Sequence, residues 1–245
     1  MSRLFTAHQI RLMDQMLIDE YGISGLTLMS RAADASVDLL RERYPLARRV
    51  IVFCGTGNNA GDGYLVAAKL QDRAIDVLVV QVGDPQKVGE DASTARDRCS
   101  QQAVPIMHWD AFQSGGLEQA DVFVDALLGL GTAGPAREPF AQAIDWLNAQ
   151  QAPVIALDVP SGLHPDFGFA EGAAVYASHT VTFIAPKLGL AAEQGPDFSG
   201  EVCVAPLGAP AAFFDQFEEK GVCVIEPTAL PSRSRAAHKG HFGHV

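Results

Sequence analysis

Val50-Ile51-Val52-Phe53-Cys54-Gly55-Thr56-Gly57-Asn58-Asn59-Ala60-Gly61-Asp62-Gly63 is the stretch whose reading decides the fold. Five consecutive apolar residues read as a strand buried on both faces. The nine residues that follow hold four glycines and two asparagines. Past them, Leu65, Ala68, Lys69 and Leu70 recur at helical spacing. A buried strand that passes through glycines into a helix points backbone N–H groups at open space, at the positive end of a helix dipole. Such a turn suits an anion. The glycines also suit positive φ and close approach of a ligand, although a tight turn without a ligand uses the same residues.

Outward from this unit, strands are expected at 75–80, 104–106, 121–127, 153–158, 179–184 and 201–204, with helices over 89–102 and about 138–149. Strand and helix alternating at this period predict an α/β protein: a three-layer α/β/α, Rossmann-like fold around a mostly parallel central sheet. Towards the N-terminus, Thr6 can cap a helix with Ile10, Met13, Leu17 and Ile18 on its apolar face and Asp14 and Asp19 facing outward. A second helix is expected over 25–43. Both precede any strand, so they form a helical extension that packs on the sheet or on another subunit.

Composition narrows the function classes. The 245 residues carry 18 Lys and Arg against 29 Asp and Glu, a net charge of -11, which excludes the electrostatic footprint of a nucleic-acid binder. Any phosphate must then be held by local N–H groups and a few placed cations. The four cysteines show neither zinc spacing nor a disulfide framework. With no signal-like N-terminus and no apolar run of membrane-spanning length, a cytoplasmic protein with no membrane partner is expected.

In parallel sheets ligands bind beyond the carboxyl ends of the strands. That rule gathers Asn58, Asn59 and Asp62 after the first strand, Asp125 at the fourth, Asp158 and Ser161 at the fifth, and Lys187 after the sixth. Asn59, Asp125 and Ser161 are hard oxygen donors suited to a monovalent cation, and equally suited to capping helices. Asp158, aimed at the cleft, would have its pKa raised by burial towards acid–base use. Lys187 has an apolar setting and can pair with a phosphate or a carboxylate. His238, His241 and His244 lie in a polar tail and are not read as a metal site. Gly55–Gly63 lacks the Gly-Lys-Ser/Thr ending of a P-loop. Gly55, Gly57 and Ala60 do satisfy the dinucleotide fingerprint, but no acid ends the second strand, where Val80-Gln81-Val82 stands, and Asp84 comes late.

Five motifs taken together resemble the YjeF N-terminal domain family, the NAD(P)H-hydrate epimerases. They are Gly57-Asn-Asn-Ala-Gly-Asp-Gly63, Asp125-Ala-Leu-Leu-Gly-Leu-Gly131, Gly134-Pro-Ala-Arg-Glu-Pro-Phe140, Asp158-Val-Pro-Ser-Gly162 and Thr180-Val-Thr-Phe-Ile-Ala-Pro-Lys-Leu-Gly189, with Leu28-Met29-Ser-Arg-Ala32 in the N-terminal extension. Ala60 stands where the family usually has Gly, so position 60 needs no positive φ; Ser30 stands where it often has Glu. The resemblance implies NADHX and NADPHX as substrates, nicotinamide dinucleotides hydrated at C6, whose R and S forms the family interconverts. It places Asn58, Asn59, Ala60, Gly61, Asp62, Gly129, Leu130, Gly131, Thr132, Ala133, Gly134, Pro135 and Asp158 against the substrate. It places potassium on Asn59, Asp125 and Ser161, and it makes Asp158 and Lys187 the catalytic pair. A homo-oligomer, a dimer in the simplest case, is expected. Residues 1–228 would be the epimerase domain, and 229–245 resemble the junction with the ADP-dependent dehydratase half of bifunctional relatives. A non-catalytic binding or scaffold module of the same fold and a Rossmann NAD(P)-dependent oxidoreductase are the competing classes.

Overall fold

The computed structural model describes residues 3–115, 119–131, 134–217 and 219–223. Its centre is strand β2 (Arg49–Cys54), flanked on both sides by parallel strands, β3 (Asp76–Gln81) and β5 (Val122–Ala126). That position explains the unbroken apolar run. Val50, Val52 and Cys54 face one core and Ile51 and Phe53 the other, so no face of the strand is left for polar residues. The full sheet runs β4-β3-β2-β5-β6-β7-β8, where β4 is Ile106–His108, β6 Val154–Leu157, β7 His179–Phe183 and β8 Glu201–Ala205. Every pairing in it is parallel. The third strand begins two residues later than the expected 104–106. Pro105 has no N–H to give the ladder and contributes only its carbonyl, to Val79 N at 2.9 Å.

Helices cover both faces, giving three layers. On one side α1 (Ala7–Asp19), α2 (Gly25–Arg43), α3 (Asn58–Gln71) and α4 (Glu90–Gln101) share a single apolar cluster with the sheet. The other side is filled by α5 (Trp109–Ser114) and α6 (Phe140–Asn148), with Phe53 central to an aromatic group of Trp109, Phe112, Phe123 and Trp146. The N-terminal helices therefore pack on their own sheet. Thr6 starts α1 with a reciprocal capping box to Gln9, while Ile10, Met13 and Leu17 are buried. A separate antiparallel pair, β1 (Arg3–Leu4) with β9 (Val222–Cys223), and the short helices α7 (Gly195–Ser199) and α8 (Ala211–Asp215) are too brief to show a periodicity in the sequence.

The glycine stretch differs from its expected conformation. Asn58–Gly63 already belong to α3, and none of Gly55, Gly57, Gly61 and Gly63 has positive φ. At Gly55, Gly61 and Gly63 the use is close approach, whereas a Cβ at Gly57 would meet open space. A Cβ on Gly55 would overlap the carbonyl oxygen of Leu127, and one on Gly63 would lie 2.6 Å from the Ala126 Cβ. The missing side chains let the strand end and the first turns of α3 lie directly on β5. Gly55→Ala is expected to lower stability by roughly 1–3 kcal/mol through overpacking against backbone, measured as a fall in the urea midpoint at constant slope.

Candidate active site

The strand order reverses between β2 and β5, the switch point at which open parallel sheets leave a crevice. Asn59, in the first turn of α3, reaches across it. Its Nδ2 donates to the carbonyls of Leu128 at 2.7 Å and Leu157 at 3.1 Å, so one amide joins the ends of β5 and β6. Its Oδ1 is buried with no hydrogen-bond partner. Beside it Asp125, fully buried, accepts from Leu127 N (3.1 Å) and Ser161 Oγ (2.6 Å) on Oδ1, and from Ser161 N (2.8 Å) on Oδ2. Ser161 Oγ also accepts from Leu128 N at 2.9 Å. Burial pushes the Asp125 carboxyl up to about 6, against the bonds from Ser161 and Leu127. The three expected cation ligands thus meet around the turn after β5, at Leu127 and Leu128. Among the described residues no group of three His, Cys, Asp or Glu is placed to hold a metal.

Asp158 and Lys187 form a second node. Lys187 is fully buried, and its Nζ donates to Asp158 Oδ1 and to the carbonyl of Phe183 at 2.7 Å. Asp158 Oδ1 also accepts from Phe183 N at 3.2 Å. Among the described residues Oδ2 has no protein partner and is left for a ligand. Of the partners open to Lys187 from its sequence, the structure selects a carboxylate. Burial lowers the Lys187 pKa, with Asp158 the chief influence in the other direction. Asp158 and Ile184 both hold left-handed backbone, at φ 67 and 66, which a non-glycine residue keeps only where surrounding contacts enforce it. Lys187 is fixed from the far side by the N-terminal segment: Phe5 N donates to Pro186 O (2.9 Å) and Leu188 N to Phe5 O (2.8 Å).

Two more carboxyls face this pair. Asp62, in the second turn of α3, keeps part of its surface open; burial first, then Asp158 and Asp14, push it well above the usual carboxylate range. Asp14 does not face outward as its helix suggested. It is half-buried, and burial first, then Asp158, raise its pKa. One turn before it, Arg11 Nη2 donates to the carbonyl of Leu130, in the expected substrate loop. The helix α1 is therefore a wall of the site, which the sequence reading missed. The available signal was that Asp14 lies between Ile10 and Leu17, four and three residues away respectively, at the margin of the buried stripe.

Of the remaining expected residues, Gly129 packs on Asn59, where a Cβ would come within 3.1 Å of the Asn59 Cβ. Gly129 and Gly134, with φ 78 at the latter, line a shallow cleft whose other wall holds Ser161, Gly162 and His164. Leu130 and Gly131 continue the loop from Gly129; Pro135 packs against Gly172. Asn58 is exposed, whereas Ala60 is fully buried in the apolar core and Gly61 abuts Met29, so these two offer a ligand no side chain. Ala60 is helical, consistent with position 60 needing no positive φ. Thr132, Ala133, the histidines 238, 241 and 244, and the segment 229–245 lie outside the described residues. Asp84, the late candidate for a ribose-binding acid, caps a single 3-10 turn by accepting from Gln86 N at 3.0 Å.

Residues 25–189 match the family described as YjeF-related protein N-terminus. The chain belongs to this family. A protein of Coxiella burnetii named bifunctional NAD(P)H-hydrate repair enzyme Nnr is 38% identical over 252 residues, covering 100% of this chain and 50% of its own length. An NAD(P)H-hydrate epimerase of Limosilactobacillus fermentum is 38% identical over 200 residues, 82% of this chain and 94% of its own. The crystal structure of yeast ynu0, YNL200c, superposes with a TM-score of 0.77 at 21% identity, over 94% of this chain and 97% of that one, and shows the fold to be shared. The chain thus spans about half the length of its bifunctional relative in Coxiella. In this YjeF-related domain, Lys187→Met is expected to cost roughly 3–5 kcal/mol, because Asp158 and the Phe183 carbonyl lose their buried partner. Adding Asp158→Asn should recover part of the loss; urea denaturation of the single and double variants measures both.

Proposed function

We propose that this domain epimerises NADHX and NADPHX at C6 of the hydrated nicotinamide ring. The observation that carries the reading is the buried Asp158–Lys187 pair, with Asp158 Oδ2 unengaged, past the carboxyl ends of β6 and β7 in a fold whose Limosilactobacillus fermentum relative is named for this activity. C6 bears a hydroxyl and adjoins the ring nitrogen. Protonating the hydroxyl lets water leave while the nitrogen lone pair forms an iminium, and water returning to the other face gives the other epimer. That chemistry needs a carboxylate held in place and open to the ring. Lys187 and Phe183 N hold Asp158 by one oxygen and leave the other. An oxidoreductase of the Rossmann type has less support, since Gln81 ends β3 where an acidic ribose ligand would stand.

A potassium ion fits Asn59, Asp125 and Ser161. The buried Asn59 Oδ1 lacks a partner, and one carboxylate with an amide and a hydroxyl oxygen suits a hard monovalent cation. Bound there, it would supply local positive charge in a chain of net charge -11. Cytoplasmic location and continuation of the natural protein into a dehydratase half are parts of the same reading; the second rests on the length and name of the Coxiella burnetii relative. A homodimer would cover the open edge of β8, where Val202 and Val204 are exposed. Among the described residues no helix is long and apolar enough to cross a membrane.

The direct test supplies (R)-NADHX to the purified chain and follows the appearance of the S form, which is expected; its absence refutes the reading. Asp158→Asn should slow that conversion by roughly 100-fold or more. Replacing choline by potassium should raise the Tm of the wild type, because a cation that binds only the folded state stabilises it. Asp125→Asn should remove the shift.

A further inference from the structure

The amino ends of the strands, opposite the site described above, hold a second pocket. It is open, of about 460 Å³, and lies where the end of α2 runs into β2 and the end of α3 into β3. Arg41, Arg48 and Arg73 line it, and among the described residues no Asp or Glu does. In a chain with 29 acidic residues against 18 Lys and Arg, three cations around one pocket with no carboxylate among them run against the composition. The volume falls within the roughly 300–1,000 Å³ of small-molecule sites.

Basic residues at helix C-termini have an ordinary explanation in the helix dipole and the last free carbonyls. Only Arg73 makes such a contact. Its Nη1 donates to the carbonyl of Lys69, in the last turn of α3, at 2.8 Å, which spends one of the five N–H groups of the guanidinium. Among the described residues the guanidiniums of Arg41 and Arg48 have neither a hydrogen bond nor an ion pair. The carboxylates at these strand starts are engaged elsewhere: Asp121 Oδ2 accepts from Arg48 N (2.7 Å) and Arg49 N (2.9 Å), and Asp76 pairs with Arg49 at 3.3 Å.

The rest of the lining is mostly apolar and held in place. Tyr44 follows the last residue of α2; its hydroxyl is hydrogen-bonded to His179 Nδ1 at 2.9 Å, and the two rings meet edge to face at 5.5 Å. Ala47 N closes a turn onto Tyr44 O at 3.0 Å. Leu40 is part of the main apolar cluster, and Tyr44, Ala47 and Ile75 pack against it. A guanidinium fork matches phosphate oxygens in pairs, while an apolar wall takes a flat hydrocarbon body. We propose that this pocket binds a small phosphate monoester, with its phosphate on Arg41, Arg48 and Arg73 and its flat, apolar body against Tyr44, Ala47 and Ile75. The site is distinct from the crevice at the carboxyl ends of the strands, and the assignment does not depend on the epimerase reading.

Titration of the 15N-labelled full chain with phenyl phosphate, inorganic phosphate and phenol, followed by amide NMR at low ionic strength, tests this. Phenyl phosphate is expected to shift the amides of Tyr44, Ala47, Ala74 and Ile75 saturably. Inorganic phosphate should shift the same amides at roughly tenfold higher concentration, a difference of about 1.4 kcal/mol, and phenol should leave them unmoved. The double variant Arg41→Gln/Arg48→Gln removes two guanidiniums that hold nothing else among the described residues, so the fold is kept while phenyl phosphate binds at least tenfold more weakly. Its conversion of (R)-NADHX should equal that of the wild type. Four results overturn the proposal: no shift at these amides, an unweakened shift in the double variant, shifts only around the carboxyl-end crevice, or the same shifts produced by raising the protein concentration without any anion, which makes the patch a contact between copies of the chain. A wild-type chain that does not convert (R)-NADHX overturns the epimerase reading and leaves the binding result standing.

Discussion

A fully buried ammonium is the constraint on which the site depends. Lys187 has no exposed surface, so its charge must be met inside the protein, and Asp158 Oδ1 and the Phe183 carbonyl meet it. Stripping either partner away would leave a desolvated charge, a loss of roughly 3–5 kcal/mol. Much of the surrounding backbone is bent to keep that pairing. Asp158 and Ile184 both adopt left-handed conformations just past their strands, and the N-terminal residue Phe5 pairs on either side of Lys187. These turns cost conformational energy, which the fold tolerates because the pair over-determines them.

The second node works by a different principle. Asn59, Asp125 and Ser161 are held by hydrogen bonds to the backbone of Leu127, Leu128 and Leu157, so polar side chains fix the ends of β5 and β6 against α3 in addition to the apolar packing beneath them. Close approach makes this possible. With a Cβ at Gly55 or Gly63 the helix could not sit near enough to β5 for the Asn59 amide to bridge two strand ends. Gly55 and Gly63 are thus packing devices, and Asn59 between them carries the specific contacts.

Much of this was legible from residue pattern. The five central strands and the longer helices follow from apolar runs and helical spacing, because buried parallel strands leave no polar face to blur the signal; the edge strand β4, only partly buried, lies two residues later than expected. Asn59, Asp125, Asp158, Ser161 and Lys187 were legible as a group because each follows a strand at the same edge. What pattern did not disclose were properties of tertiary contact. The glycines of the 55–63 stretch suggested positive φ, yet their need is space beside Leu127 and Ala126. The pairing of Lys187 with Asp158 joins residues 29 positions apart, and neither spacing nor composition chooses a carboxylate over a phosphate.

Asp14 shows why the helical extension belongs to the site. The family match covers 25–189 and does not include α1, and a polar residue on an amphipathic helix ordinarily faces water. Here the helix is pinned at both ends of its first turns: Thr6 caps it, Ala7 N donates to Asp166 Oδ1 at 2.5 Å, and Arg11 reaches the Leu130 carbonyl. Those anchors come from the segment that also braces Lys187 through Phe5. With Ile10, Met13 and Leu17 turned into the core, the next position around the helix is held against the carboxyl cluster. The buried apolar stripe and these hydrogen bonds hold Asp14 there, where burial raises its pKa. The extension is accordingly part of the electrostatic environment of Asp62, Asp158 and Lys187.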